Sequence, residues 1–191
     1  MNNDNNIAVD LKNVTKVYLL RHEKPTFVEN VVLKKRTESF VAIDNLSLTI
    51  RKGERIGIIG DNGSGKTTLL KLISHVATPN KGEVSTDGRV ISLIDLDAGF
   101  HPDLTGEENI LLNGLVLGLD KREIKKNYKS IIRFAGVGKF IDSPLCTYSS
   151  GMRLRLGFSV AIHSNPDILV LDENISVGDE KFKKKINKKI N

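Results

Sequence analysis

The chain contains the stretch Gly60-Asp61-Asn62-Gly63-Ser64-Gly65-Lys66-Thr67, which fits the pattern G-x-x-x-x-G-K-[ST]. The glycines let the backbone curl so that successive N–H groups point inward at a phosphate, and a following helix adds the positive end of its dipole. Lys66 is expected to reach the β- and γ-phosphates of a nucleotide, and the Thr67 hydroxyl is expected to ligate Mg²⁺. We call this stretch the phosphate loop.

The residues on both sides of the phosphate loop decide between a nucleotide site and a chance glycine-rich turn. The apolar run 55–59 predicts a buried strand, and the run from Thr68 to Ile73 predicts a helix. A strand before and a helix after are the context in which this pattern holds a nucleotide, here through the backbone from Gly63 to Thr68. The sequence therefore predicts an α/β fold that binds a nucleotide.

A second motif, Pro166-Asp167-Ile168-Leu169-Val170-Leu171-Asp172-Glu173, is a short apolar run that ends in two carboxylates. Such a run is typical of a central strand in a parallel sheet that is covered on both faces. Asp172 is expected to hold Mg²⁺, and Glu173, on the alternate side of the strand, is expected to orient and polarise an attacking water. The alternative is an acidic surface turn, which the phosphate loop upstream disfavours.

A third motif, Tyr148-Ser149-Ser150-Gly151-Met152, stands before the helix-like run 153–161 and is called the signature segment below. It resembles the signature motif of ABC ATPases, usually written L-S-G-G-Q, with Ser149 and Gly151 at the matching serine and second glycine. A hydroxyl and backbone N–H groups at a helix N-terminus form an anion site. The alternative is an ordinary helix N-terminus capped by Ser149 or Ser150.

The resemblance extends over most of the chain, from Tyr18 to Asp179. Through 99–110 and 176–179 it is greatest to the ATP-binding subunits of bacterial capsular polysaccharide, O-antigen and teichoic acid exporters. Tyr18 falls where this family places an aromatic ring that stacks on adenine, and stacking of this kind needs only a ring face. The alternative for Tyr18 is a strand residue packed on its own sheet.

The resemblance implies an α/β P-loop NTPase fold of the ABC ATPase type in a single domain, 1–191, with a mainly parallel central sheet. It also implies an antiparallel β-subdomain and a helical subdomain over about 105–150. The implied cofactors are ATP and Mg²⁺. The implied partners are a second copy of the chain, whose signature segment closes over ATP held by the first, and an integral membrane permease.

Local patterns predict the individual elements. Partly alternating apolar residues over 7–18 and 40–50 predict strands of the antiparallel subdomain, and 83–96 predicts two short strands around the Asp87-Gly88 turn. Two helix starts are predicted from capping pairs, Thr105 with Glu108 and Asp120 with Glu123.

Composition and charge exclude other classes. The 191 residues fit one domain, and the single cysteine, Cys146, rules out an internal disulfide. The net charge is +6, but six lysines lie within the last eleven residues, which contain no acid, and the remaining charges balance. We therefore predict a terminal cluster on a solvated helix face and no nucleic-acid partner. The lysines are Lys181, Lys183, Lys184, Lys185, Lys188 and Lys189.

The chain shows no membrane segment in its sequence. No apolar run approaches the length of a membrane span, and residues 1–6 lack the basic and apolar regions of a signal peptide. We therefore expect a cytoplasmic protein that is peripheral on the inner face of the cell membrane. Transport would then occur through another polypeptide.

Two positions depart from the family pattern. The glutamine that usually contacts Mg²⁺ is matched by Leu96, so either Asp95 or Asp97 substitutes or the loop backbone carries the coupling. The switch histidine, which follows the acidic motif in the family, has no match before Asn191. We therefore expect that the C-terminal part of the domain is missing, with an unpaired sheet edge and low turnover.

The function that these residues predict is ATP hydrolysis that drives export of a polysaccharide or related glycoconjugate across the bacterial inner membrane. One alternative is a truncated nucleotide-binding remnant with little turnover. Another is a soluble, non-transport ABC ATPase of DNA repair or the ribosome, which should show coiled-coil heptads or a second cassette. The sequence contains neither.

Overall fold

The computed structural model describes residues 6–20, 38–94, 99–172 and 180–190. These residues form two compact units, one within 1–87 and one within 88–191, and each is described by itself. Several predicted features lie outside the described residues: Glu173, the positions Asp95, Leu96 and Asp97, and the stretch 176–179.

The described part of the first unit contains an antiparallel sheet and one α-helix. Its strands are β1 (Ile7–Leu20), β2 (Glu38–Arg51) and β3 (Lys81–Thr86), in the order β2-β1-β3. The helix α1 (Lys66–Ile73) follows the phosphate loop and buries Leu69, Leu72 and Ile73. The strands predicted over 7–18 and 40–50 are therefore confirmed.

The central strand β1 changes its buried face at a bulge. Val9 and Leu11 are buried at alternate positions, and the next buried side chain is Val14, because the register with β2 shifts between Leu11 and Val14. Asn13 adopts a left-handed conformation there (φ 49°) and its N–H donates to Ser47 Oγ at 2.9 Å. The extra residue at the bulge thus puts Val14, and not the alternate residue Asn13, at the next buried position.

The strand predicted over 55–59 is wrong. Within the described part of the chain these residues belong to no strand, and Ile56 and Ile59 are 53% and 98% exposed. An apolar run forms a strand only where a neighbour completes its backbone hydrogen bonds. No described strand pairs with these residues, so no neighbouring strand completes those hydrogen bonds.

The second unit contains a two-stranded parallel sheet and four helices among its described residues. The strands β4 (Val90–Leu93) and β5 (Ile168–Leu171) pair in parallel from Val90 with Ile168 to Leu93 with Leu171. The helices are α2 (Gly106–Val116), α3 (Lys121–Ala135), α4 (Ser150–Ile162) and α5 (Glu180–Ile190).

The two strands predicted around Asp87-Gly88 exist, but they do not form a hairpin. β3 pairs with β1, whereas β4 pairs with β5. Gly88 (φ 114°) approaches Asp167 so closely that a Cβ on it would lie 2.6 Å from the Asp167 side chain. The Asp167 carboxylate also accepts from the Arg89 N–H at 2.7 Å, so a contact distant in sequence fixes the start of β4.

Both predicted helix starts are confirmed. Thr105 caps α2 and Asp120 caps α3, each by a capping box completed by the glutamate three positions later. The pKa of Glu108 lies below its usual range because its carboxylate accepts from the Thr105 backbone and hydroxyl. Among the described residues no helix is long and apolar enough to cross a membrane.

Candidate functional site

The phosphate loop has the backbone that its glycines predict. Gly63 and Gly65 have φ of 85° and 92°, in the left-handed region that side chains disfavour. A Cβ on Gly65 would also collide with the carbonyl oxygen of Ala42. Gly65 is the N-cap of α1, so the first-turn N–H groups of that helix point ahead of its axis, where an anion binds.

The Lys66 ammonium lies over the phosphate loop itself. Its Nζ donates to the carbonyl oxygens of Gly60 at 2.8 Å and Asp61 at 3.0 Å. An ammonium has three donors, so one remains for a phosphate oxygen in this arrangement. Ser64 N–H donates to Asp61 O at 3.1 Å and closes the turn. The loop is therefore held by its own backbone, with its cation at the centre.

Tyr18 stands near the end of β1, with its ring 37% exposed. It pairs across the sheet with Phe40 of β2, and the Lys16 Nζ lies 5.2 Å from the centroid of its ring. Lys16 Nζ also donates to Thr78 O at 2.8 Å, so the cation is held in place. The position is compatible with a half-exposed stacking ring and with the cation–π packing of a strand residue.

Asp172 directly follows β5 and is 8% exposed. Leu171 before it is 41% exposed, so β5 is less covered than its apolar sequence predicts. The Thr67 hydroxyl and the Asp172 carboxylate are oxygen donors, which Mg²⁺ prefers, and this ion is commonly held by one or two protein groups together with substrate phosphates. Thr67 belongs to the first unit and Asp172 to the second, and each offers an oxygen of the kind that this ion prefers.

The signature segment forms the N-terminus of α4. Ser149 is the N-cap, and its Oγ accepts from the Met152 N–H at 3.3 Å. Ser149 and Ser150 are exposed, and Gly151 is half-buried. The capping expected of an ordinary helix start is therefore present, and the exposed hydroxyls and first-turn N–H groups also have the form of an anion site.

Tyr148 differs from the rest of the signature segment because its side chain is buried. It is 5% exposed, and its hydroxyl donates to the Phe140 carbonyl oxygen at 2.6 Å. Burial raises the pKa of Tyr148 above its usual value. A Cβ on Gly106 would collide with the Tyr148 hydroxyl, so the start of α2 packs directly on this ring. Tyr148 therefore anchors the signature segment to the core of the second unit.

Backbone hydrogen bonds join residues 145–146, just before the signature segment, to the loop that precedes α2. The Leu145 N–H donates to Leu104 O at 2.9 Å, and the Cys146 N–H donates to Pro102 O at 2.8 Å. Thr105 and Pro144 form an isolated antiparallel bridge. No motif in the sequence predicts this contact, because its bonds join main-chain groups that lie far apart in the chain.

Asn109 is a site residue that the sequence analysis missed. It is fully buried, its Oδ1 accepts from the His101 N–H at 2.7 Å, and its Nδ2 donates to the carbonyl oxygens of His101, Leu104 and Thr105 at 2.9 to 3.0 Å. The Asn109 side chain therefore holds in place the loop whose carbonyl groups accept hydrogen bonds from Leu145 and Cys146, just before the signature segment. The available signal was its spacing from Gly106 and Asn113, which share its buried helix face.

The predicted site residues thus fall in both units. The phosphate loop and Tyr18 belong to the first unit, whereas the signature segment and Asp172 belong to the second.

Comparison with known proteins supplies the context for these motifs. Residues 43–176 match the family described as ABC transporter. The chain is 47% identical over 188 residues to the O-antigen export system ATP-binding protein RfbB of Myxococcus xanthus. The aligned region covers 93% of this chain and 43% of that protein. It is 43% identical over 190 residues to RfbB of Klebsiella pneumoniae, with coverage of 96% and 77%.

A third relative is the teichoic acids export ATP-binding protein TagH of Bacillus cereus, 45% identical over 187 residues, with 97% of this chain and 34% of that protein covered. The chain therefore spans between about a third and three quarters of the length of these three relatives. Among solved structures, the dimeric post-hydrolysis ATP-binding cassette MJ0796 bound to ADP and Pi matches with a TM-score of 0.72 and 26% identity. This match covers 95% of this chain and 81% of MJ0796. The predicted fold class is confirmed.

Proposed function

The chain belongs to the ABC transporter family, and on this premise we propose that it binds ATP with Mg²⁺ and hydrolyses it to power glycan export. The geometry of the phosphate loop is the observation that carries the proposal. Left-handed glycines, the N-terminus of α1 and the Lys66 ammonium converge on one point. Such a loop serves to hold the phosphates of a nucleotide.

Each site residue has a role in hydrolysis. Lys66 and the loop N–H groups neutralise and position the phosphates, which is most of what phosphoryl transfer requires. Thr67 and Asp172 would hold Mg²⁺, which would offset the negative charge of the phosphates. Glu173 would orient the water for in-line attack and accept its proton. Tyr18 would stack on the adenine.

The signature segment would act on the nucleotide of a second copy. The N-termini of α1 and α4 would each offer an anion site, and two such sites in one chain would suit one nucleotide that is held from both sides. MJ0796, a cassette of similar fold, is dimeric. We propose a head-to-tail homodimer in which Ser149, Ser150 and Gly151 contact the partner's ATP, while Tyr148 and Met152 position them.

The names of the relatives support export as the process that hydrolysis drives. RfbB is an O-antigen export system ATP-binding protein, and TagH a teichoic acids export ATP-binding protein. We propose that the substrate is a polysaccharide or related glycoconjugate and that it crosses the inner membrane through a separate permease. The chain would sit on the cytoplasmic face of that permease.

Complementation tests the export function directly. A bacterial strain that lacks a related exporter ATPase but keeps its permease should regain surface glycan when it produces this chain, and should not regain it with Lys66→Ala. Phosphate release from Mg-ATP by the purified chain forms the second arm. ATP hydrolysis without complementation would contradict the export role. The enzymatic role would be contradicted if ATP were hydrolysed neither by the pure chain nor by the chain together with the permease.

A further inference from the structure

The C-terminal lysines do not stand on a helix that is solvated all round. Helix α5 is anchored by Phe182, which is 2% exposed, and its ring packs edge-on against Phe134 of α3 at 5.4 Å and Phe158 of α4 at 5.9 Å. Lys185 and Lys189 lie on the same side of α5 as Phe182 by helical periodicity. The docked aromatic ring therefore brings these lysines beside α3.

A cavity of about 440 Å³ lies at this contact, and we call it the basic cavity. Four cations line it: Arg133 from α3, and Lys185, Lys188 and Lys189 from α5. Among the described residues, no acidic side chain lines it and none of the four cations forms a salt bridge. Like charges held together repel one another, so this wall is stabilised by any anion that enters.

A second cavity in the same unit is also lined by lysines, but it differs from the basic cavity in having acidic side chains beside them. It has a volume of about 660 Å³ and lies between α2 and α3. Its lining contains several lysines of α3, but also Glu107 and Glu108 of α2. Acidic side chains therefore offset its positive charge in part. The described lining of the basic cavity contains no such acidic side chain.

The lining of the basic cavity matches a phosphate group in particular. A guanidinium presents a planar fork that pairs with two phosphate oxygens, and ammonium groups add mobile charges. The Ser130 hydroxyl supplies a neutral donor, and the Phe134 ring forms an apolar wall. His163 directs its Nδ1–H to the Ser159 carbonyl oxygen at 2.7 Å. Its pKa is lowered by burial and by Lys189, so it adds no charge at neutral pH.

We propose that the basic cavity binds a phosphate-bearing anion of the pyrophosphate or phosphomonoester class, at a site distinct from the phosphate loop. The anion would come either free from solution or as the headgroup of an anionic lipid. Arg133, Lys185 and Lys188 would hold it, and Phe134 would border it.

Calorimetry with inorganic pyrophosphate tests the site in the 191-residue chain. The measurement is made in Lys66→Ala, so that the phosphate loop contributes little. Adding Lys185→Ala and Lys188→Ala to this variant should weaken binding about tenfold or more, because two charge-assisted contacts are lost. Adding Lys183→Ala and Lys184→Ala removes the same charge from exposed positions of α5 outside the cavity, and should change the affinity less than twofold.

Two outcomes would overturn the proposal: no pyrophosphate binding in the Lys66→Ala variant, or equal weakening by both lysine pairs. The second result would mean a diffuse electrostatic effect. All four lysines are exposed, so their substitution should not disturb the packing of α5. Thermal melting of each variant checks this. This measurement does not depend on the proposed export function. It is made in the Lys66→Ala variant, whose phosphate loop no longer binds well, so a negative result in the export test would not change it.

Vesicles distinguish the two sources of the anion. Vesicles of phosphatidylcholine containing phosphatidic acid present a phosphomonoester on a surface, whereas pure phosphatidylcholine vesicles do not. The site is assigned to a lipid headgroup if the protein floats only with the vesicles that contain phosphatidic acid. Substitution of Lys185 and Lys188 should then reduce this flotation, and substitution of Lys183 and Lys184 should not. Pyrophosphate binding without flotation assigns it to a free anion.

Discussion

The hydroxyl of Tyr148 donates a hydrogen bond of 2.6 Å to the carbonyl oxygen of Phe140 and so fixes the residue that precedes Ser149. Tyr148→Phe removes this bond and keeps the ring. We expect the free energy of unfolding to fall by about 1 kcal/mol, the usual net value of one such bond. Urea denaturation measures it, with Tyr18→Phe at a more exposed ring as the matched control. An equal loss in both variants would contradict the anchoring role.

Lys66→Ala is expected to weaken ATP binding more than tenfold, because the phosphate loop loses its mobile cation. Lys71→Ala, in the last turn of the same helix, removes the same charge away from the loop and should leave the affinity within twofold. Calorimetry with Mg-ATP decides between them. Equal affinities in the two variants would disprove the assignment of the phosphate loop.

Glu173→Gln should keep nucleotide affinity and abolish turnover, since it preserves the shape of the side chain and removes the base. An ATP-bound dimer should then accumulate, because hydrolysis no longer dissolves it. Light scattering with Mg-ATP would show the doubled mass. Hydrolysis at the parental rate would exclude Glu173 as the base.

Asn109→Ala should destabilise the second unit by about 2 to 4 kcal/mol, because a buried side chain with four hydrogen bonds is lost and the carbonyl groups around it lose a donor. The loop 101–105 should then exchange its amide hydrogens faster. Hydrogen exchange read by mass spectrometry detects this change. Leu111→Ala, on the exposed face of the same helix, is the control and should leave the loop protected.

The sequence predicted best those features that depend on near neighbours. The capping boxes of α2 and α3 need only a Thr or Asp and a Glu three positions later, and both formed as predicted. The left-handed glycines of the phosphate loop are equally local. Local chemistry therefore located the ends of elements and the phosphate-binding turn.

Features that depend on distant partners were predicted poorly. The run 55–59 has strand composition, yet its state depends on whether another strand lies beside it. The terminal lysines are exposed, as predicted, but the sequence does not show that Phe182 docks α5 on Phe134 and Phe158 and so places some of these lysines beside Arg133. Asn109 appeared unremarkable because its partners are backbone carbonyl groups, which every sequence contains.

The bonded segment before Ser149 has a practical consequence for spectroscopy. Cys146 is exposed, its N–H is held by Pro102 O, and it is the only cysteine of the chain. A maleimide dye therefore reacts at one position without any substitution, and its attachment point is fastened to the helical core. Quenching or energy transfer from that dye would follow the approach of a second subunit in real time.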